Sequence, residues 1–202
     1  MGKDRVGVVG AGIAGLVAAL ELARRGLDVV VLEAADAPGG KMRPLALAGH
    51  AIDAGPTVLT MRWVLERIFA DAGASLEDAL APRRLAILAR HAWPDGSRLD
   101  LHADIAQSAA AIGALAGPRE AEGYLAFCRR SAAIYQTLVH TFIESEQPTP
   151  VSLALGAGIG GLGDLWRISP FTTMWRARGD HFRDPRLRQL FARYATYCGS
   201  SP

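Results

Sequence analysis

The chain has 202 residues, half of them hydrophobic, and its 22 basic and 20 acidic side chains leave a formal net charge of +2. This apolar content is enough for a buried core, and the near-balance of charge gives no indication of a nucleic-acid partner. Cys128 and Cys198 are too far apart to indicate a metal cluster or a disulfide framework, and the five histidines lack metal-ligand spacing. The sequence therefore predicts a globular chain without a metal site, and its alanine and glycine content favours an α/β fold.

The first segment of regular structure has the pattern of a βαβ unit. Arg5–Val9 is a short apolar run, which predicts a parallel strand buried on both faces. A glycine-rich turn leads from it into a helix that reaches about Arg25, and Gly26 is expected to end that helix. Val29–Leu32 is a second apolar run and predicts a second buried strand. Strand, turn, helix and strand together predict a compact, right-handed, Rossmann-like unit.

The turn between the first strand and the helix carries three glycines at the spacing of a dinucleotide-binding fingerprint. Gly10 permits the tight turn, Gly12 lets a pyrophosphate approach the backbone, and Gly15 lets helix and strand pack closely. The start of the helix offers free N–H groups and the positive end of its dipole to a phosphate. Glu33, at the end of the second strand, is placed to accept hydrogen bonds from ribose hydroxyls. This acid disfavours the 2′-phosphate of NADP, while FAD and NAD both stay open.

A second glycine pair follows the βαβ unit. Gly39 and Gly40 precede the cations Lys41 and Arg43, so the backbone of this loop is able to approach an anion closely. Such a loop suits the diphosphate or the flavin side of a bipartite FAD site. An ordinary glycine turn beside surface cations is the alternative.

The rest of the chain changes from mixed to mostly helical character. Extended pieces, one helix and one hairpin are predicted first, at 45–47, 51–53, 63–72, 85–93 and 98–101. Four helices are predicted after them, at 104–116, at 118–146 and opening at Pro170 and at Pro185. We accordingly divide the chain into residues 1–84, the first part of a nucleotide-binding domain, and residues 85–202, the first part of a substrate domain.

Two features bear on membranes. The apolar run 6–20 imitates a secretory signal, but three glycines interrupt it and a helix continues from it, so no signal peptide is predicted. No stretch approaches the roughly 20 apolar residues that a transmembrane helix needs. One set of aromatic and basic side chains fits either a membrane-facing patch or the apolar faces of ordinary helices, namely Trp166, Phe171, Trp175 and Phe182 beside Arg167, Arg176 and Arg178. A basic run fits either a solvated face or contact with anionic lipid headgroups, namely Arg183, Arg186, Arg188 and Arg193.

Glu33–Lys41 (EAADAPGGK) and Asp53–Thr57 (DAGPT) together resemble the FAD signature of the carotenoid, or phytoene-type, desaturases, which are amine-oxidase-like flavoproteins. The resemblance continues at His91–Gly96, at His181–Leu187 and at Ala195–Pro202, so it covers nearly the whole chain. Within the family the sequence is most similar to the desaturases of 1-hydroxy- and methoxycarotenoids.

The resemblance implies an FAD-dependent enzyme that removes two hydrogens from adjacent carbons of a long polyene. The flavin would take the hydride and pass its electrons to a quinone or to oxygen, and no catalytic base is assigned. A lipid substrate further implies peripheral association with the cytoplasmic face of a membrane. The residues that would contact FAD are Gly10, Gly12, Gly15, Glu33, Gly39, Gly40 and Lys41. Lys41 stands where relatives often have arginine, so the charge is kept but the bidentate fork is lost.

The family also implies that the chain is incomplete. Its members are more than twice as long and end with a second FAD-binding segment, which is absent from this sequence. The resemblance therefore predicts an incomplete fold with an exposed sheet edge. As a fragment, the chain alone is expected to be inactive and to bind FAD weakly or not at all.

Other functions stay open for the same scaffold. Carotenoid isomerases, phytoene desaturases and amine oxidases are flavoproteins of this fold. Rab GDP-dissociation inhibitors bind prenylated partners on it without flavin chemistry. The intact glycine turn and glycine pair favour a cofactor-binding protein over this last class.

Overall fold

A computed structural model gives the fold and describes residues 4–56, 59–139, 143–144 and 181–194. The chain divides into two compact units, residues 1–83 and residues 84–202. The helix predicted at Pro170, the end of the helix predicted over 118–146 and most of the aromatic patch lie outside the described residues.

The first unit begins with the predicted βαβ arrangement. Strand β1 (Arg5–Val9) pairs in parallel with β2 (Asp28–Leu32), and helix α1 (Ile13–Arg24) connects them and contacts both. Gly26 follows the end of α1 with a φ of +88°, a left-handed conformation that glycine adopts without strain. The Rossmann-like fold class is confirmed at these residues.

The prediction that β1 is buried on both faces is wrong. Val9 is 86% exposed and Leu32 is 57% exposed, although both belong to apolar strands. Among the described residues this sheet has two strands, and the connecting helix lies on one face only. An apolar strand sequence shows that a strand tolerates burial on both faces, whereas actual burial depends on what packs against it.

The remainder of the first unit is a hairpin followed by two helices. Strands β3 (Pro44–Leu47) and β4 (His50–Asp53) pair antiparallel across Ala48 and Gly49, whose φ angles of +50° and +80° match the two-residue turn of a hairpin. Helix α2 (Arg62–Asp71) agrees with the predicted stripe.

The sequence prediction missed the short helix α3 (Leu76–Leu80). Its signal is local, because the Ser75 side chain accepts a hydrogen bond from the backbone N–H of Asp78 at the start of the helix. A serine followed three residues later by an acid is typical of a helix start.

The second unit places a hairpin beside helices. Its strands are β5 (Ile87–Ala92) and β6 (Arg98–His102), and its helices are α4 (Ile105–Ala116), α5 (Pro118–Leu138) and α6 (Pro185–Ala192). Asp104 and Asp184 cap α4 and α6 with their carboxylates. Proline occupies the first turn of α5 and of α6, as predicted. Helix α4 packs against both α5 and β6.

The core of this unit joins the hairpin, α4, α5 and the segment that contains α6. Its fully buried apolar side chains include Ile112, Phe182 and Leu187. Phe182 is 1% exposed and stacks on Phe191, with 4.8 Å between the ring centroids. The interpretation of Phe182 as part of a membrane-facing patch is therefore wrong, because its ring lies in the core.

The segment before α6 is seated on α5 by two close contacts. The backbone N–H of Arg183 donates to both carboxylate oxygens of the buried Glu120, at 3.1 and 3.2 Å. A Cβ at Gly123, one turn further along α5, would lie 2.0 Å from the carbonyl oxygen of His181. Glycine is thus required where this segment crosses the helix.

Candidate nucleotide-binding site

The glycine turn has the geometry that a phosphate-binding turn needs. Gly10 has a φ of +98°, and its N–H donates to the carbonyl of Leu32 at 2.7 Å, which ties the turn to β2. Gly12 stands at the N-cap of α1 with extended backbone, and no side chain caps the helix there. The first turn of α1 also contains no acidic residue, so no carboxylate on it opposes a phosphate.

Gly15 brings the helix close to the turn. A Cβ at this position would lie 1.9 Å from the carbonyl oxygen of Gly10 and 3.6 Å from the Val8 side chain. The first distance is far inside van der Waals contact, and the atom in the way belongs to the backbone. The close packing of helix and strand predicted for the third glycine is therefore present in the structure.

Glu33 is held at the end of β2 by backbone donors. One carboxylate oxygen accepts the N–H of Ala35 at 2.9 Å, and the other accepts the N–H of Ala11 at 2.6 Å. These two bonds, with Ala35 the larger contributor, hold the pKa of the Glu33 carboxyl below its usual range, so the group is ionised and acts only as an acceptor. Each oxygen keeps acceptor capacity for a further donor, such as a ribose hydroxyl.

The glycine pair lies directly against the glycine turn. The Gly39 N–H donates to the carbonyl of Ala11 at 2.9 Å. A Cβ added to Gly40 would lie 3.1 Å from the Cα of Gly12, and Gly40 itself has a φ of +59°. The structure therefore brings together six of the predicted contact residues around one turn, and Lys41, whose side chain is exposed, follows directly.

Ala11 is the residue that sequence reasoning missed. Its N–H donates to Glu33 and its carbonyl accepts from Gly39, so one buried residue connects the acid and the second loop to the glycine turn. The variable position inside the glycine pattern gives no signal for this role, because both contacts use backbone atoms.

Comparison with known proteins identifies the relatives of this site and of the chain around it. Residues 8–71 match the family described as NAD(P)-binding Rossmann-like domain. Hydroxyneurosporene desaturase of Rubrivivax gelatinosus is 55% identical over 199 residues, which are 98% of this chain and 38% of that protein. The same-named protein of Rhodobacter capsulatus is 44% identical over 96% of this chain and 39% of its own length. The resemblance to carotenoid desaturases is confirmed.

The similarity to carotenoid desaturases extends beyond one type. Phytoene dehydrogenase of Streptomyces griseus is 41% identical over 98% of this chain and 38% of its own length. The chain thus spans less than two-fifths of the length of these desaturases. Among solved structures, a redesigned putrescine oxidase matches 96% of this chain and 37% of its own at 18% identity, with a TM-score of 0.48.

In the second unit, burial is the main cause of the shifted pKa values of three side chains. Burial raises the pKa of Tyr124 to about 12 and also raises the pKa of the Cys128 thiol, so both groups stay protonated at neutral pH. Burial, aided by the charge of Arg193, lowers the pKa of His91. These residues lie in or beside the core, and we assign none of them as a catalytic base.

The described residues give two further findings on metals and membranes. Within them, no group of three or more His, Cys, Asp or Glu side chains is arranged to hold a metal ion. Each helix in the same part of the chain is too short or too polar to cross a bilayer.

Replacing Glu33 by glutamine is expected to destabilise the first unit at neutral pH, and much less in acid. The carboxyl group has a pKa below its usual 4.5 in the folded state. Its contribution to the free energy of unfolding is therefore fully present above pH 4.5. It is lost as the pH falls through the lowered folded-state pKa. The difference in free energy of unfolding between Glu33→Gln and wild type should therefore be largest at neutral pH and shrink in acid.

Urea unfolding at neutral pH and at about pH 3 measures this difference. Asp36→Asn, an acid-to-amide change in the same loop, serves as the control. An equal destabilisation by Glu33→Gln at both pH values would contradict the bonds to Ala35 and Ala11.

Proposed function

We propose that the protein of which these residues are part is an FAD-dependent carotenoid desaturase. The observation that carries the proposal is the 55% identity to a hydroxyneurosporene desaturase across 98% of the chain. Two further proteins of that name match at 44% and 43% identity. This pattern favours a 1-hydroxycarotenoid 3,4-desaturase, also called methoxyneurosporene dehydrogenase, over a phytoene desaturase.

FAD is the proposed cofactor, and the glycine turn and its neighbours fit it. Gly12 and the uncapped start of α1 would hold the pyrophosphate, and Glu33, ionised and acceptor-only, would hold the adenosine ribose. The loop of Gly39, Gly40 and Lys41 would approach the diphosphate from its position against the turn. When bound, the flavin supplies the hydride acceptor for removal of hydrogen from a carbon chain.

The reaction also implies partners. A long polyene is insoluble in water, so the substrate would come from a membrane, and we propose peripheral association of the protein with the cytoplasmic membrane face. A quinone or oxygen would reoxidise the reduced flavin. Residues 85–202 would form the first part of the substrate domain.

Other enzymes of the fold are the alternatives. A carotenoid isomerase, a phytoene desaturase or an amine oxidase would use the same nucleotide site. A non-catalytic lipid-binding protein would keep the fold and lose the need for a flavin.

The test uses the full-length protein, which comprises these 202 residues and any further sequence that its gene encodes. We expect it to purify yellow, and to bleach at the flavin band when 1-hydroxyneurosporene in detergent is added without oxygen, while the polyene spectrum shifts to the red. An absorbance spectrophotometer records both changes in one cuvette.

Phytoene serves as the comparison substrate. Bleaching with phytoene and not with 1-hydroxyneurosporene would move the assignment to a phytoene desaturase. A bound flavin that neither carotenoid bleaches would exclude desaturation of both. Colourless protein that releases no flavin on denaturation would favour the non-catalytic lipid-binding protein.

A further inference from the structure

The loop that carries the glycine pair is also approached closely by Gly55. A Cβ at Gly55 would lie 2.1 Å from the carbonyl oxygen of Lys41, 3.0 Å from its carbonyl carbon and 3.2 Å from the Cα of Met42. All three atoms belong to the backbone, so no side chain is able to move aside. Glycine is required at this position by close approach of another backbone segment.

The hairpin fixes this contact in place. Its register pairs Pro44 with Asp53, and beyond that pair the N–H of Ala54 donates to the carbonyl of Arg43 at 2.9 Å. Met42 and Gly55 come next along the two strands, and the Lys41 carbonyl belongs to the peptide bond that precedes Met42. The hydrogen bonds of the hairpin therefore determine where Gly55 meets the loop.

The same loop also contacts the glycine turn. Gly39 donates to the carbonyl of Ala11, and Gly40 approaches the Cα of Gly12. The N–H of Met42 donates back to the carbonyl of Gly39 at 3.0 Å, which makes the loop compact. The loop therefore contacts both the glycine turn and Gly55, and Lys41, whose carbonyl Gly55 approaches, directly follows Gly40.

We propose that Gly55 is a positioning residue for the nucleotide site, and that the β3–β4 hairpin acts through it to hold the Gly39–Met42 loop against the glycine turn. The inference rests on the proposed function, because the ligand it would position for is FAD. An alanine at Gly55 forces the Lys41 carbonyl away by more than 1 Å if ordinary van der Waals contact is to be restored. The loop then no longer lies against Gly12, where the pyrophosphate would bind.

The experiment compares Gly55→Ala with Gly7→Ala in the full-length protein. Gly7 belongs to the same unit, and a Cβ there would meet nothing within 4 Å among the residues that the structure describes, so the control adds the same methyl group without a clash in this part of the chain. Hydrogen exchange of the backbone amides of Gly39 and Met42, measured without ligand, reports whether the loop is held. Titration of the flavin-free protein with FAD reports binding.

We expect Gly55→Ala to speed amide exchange in this loop and to weaken FAD binding by about tenfold. A loss of this size follows when one charge-assisted hydrogen bond between the loop and the diphosphate is weakened. Gly7→Ala should leave both measurements unchanged. Unaltered exchange in Gly55→Ala would overturn the proposal, and so would faster exchange with unaltered FAD affinity. Wild-type protein that fails to bind FAD would instead refute the proposed cofactor, while the exchange data would still decide whether Gly55 holds the loop.

Discussion

Gly12→Ala is expected to weaken FAD binding by about 10- to 100-fold while leaving the fold as stable as before. Among the described residues the added Cβ meets only the Cα of Gly40, at 4.0 Å, which is ordinary contact, and the φ of −75° at Gly12 suits alanine. The methyl group would occupy the space through which a pyrophosphate approaches the backbone. Loss of one charge-assisted hydrogen bond costs about 1.5–3 kcal/mol, and each 1.4 kcal/mol is roughly a tenfold change in affinity.

Titration of the flavin-free, full-length protein with FAD measures the affinity, and urea unfolding measures the stability. Gly15→Ala is the contrasting variant, because its Cβ would lie 1.9 Å from the Gly10 carbonyl oxygen. We expect it to destabilise the protein by about 2–3 kcal/mol as well as to weaken binding. Wild-type FAD affinity in Gly12→Ala would exclude the glycine turn as the phosphate site.

The contrast between these glycines shows what a sequence pattern is able to predict. The three positions of the glycine turn follow from a spacing that fits one local geometry, a strand that turns at once into a helix, and the structure has that geometry. The connection through Ala11 was not predictable, because both of its contacts use backbone atoms that every residue possesses.

Contacts between segments that are distant in the chain also could not be predicted from the sequence. The chain has 22 glycines, and close backbone approach distinguishes positions such as Gly55 and Gly123 from Gly7, where a Cβ would meet nothing within 4 Å. In the sequence, the Gly55-Pro56 pair indicates a turn, and Gly123 is a residue of low helix propensity within a predicted helix. Their partners, Lys41 and His181, are identified only by tertiary structure.

Burial of the strands was mispredicted for a related reason. Apolar runs at β1 and β2 predicted strands covered on both faces, but Val9 and Leu32 are largely exposed. The hydrophobic pattern predicts that these residues form strands, and this prediction is correct for both β1 and β2. What covers a strand depends on the other segments that pack on it, which the strand's own residues do not specify.

Gly123→Ala is expected to destabilise the second unit by about 3 kcal/mol, against the direction that helix propensity alone predicts. Alanine in place of a glycine inside a helix normally stabilises by about 1 kcal/mol. Here the Cβ would lie 2.0 Å from the His181 carbonyl oxygen, so the segment before α6 has to move off α5. Phe182 and Leu187, which are 1% and 0% exposed, would lose part of their packing with it.

Urea unfolding of the full-length protein, followed by a signal from this unit, measures the effect, and Gly113→Ala is the matched control. Gly113 lies inside α4, and a Cβ there would meet the Ala121 side chain at 3.4 Å, so alanine fits and should be neutral or stabilise by up to about 1 kcal/mol. If Gly123→Ala lowers the free energy of unfolding while Gly113→Ala does not, the clash with the His181 carbonyl outweighs the entropic gain from replacing a helical glycine. If Gly123→Ala were as stable as Gly113→Ala, the segment that leads into α6 would not be seated on α5, and the hydrogen bonds from Arg183 to Glu120 would also be absent.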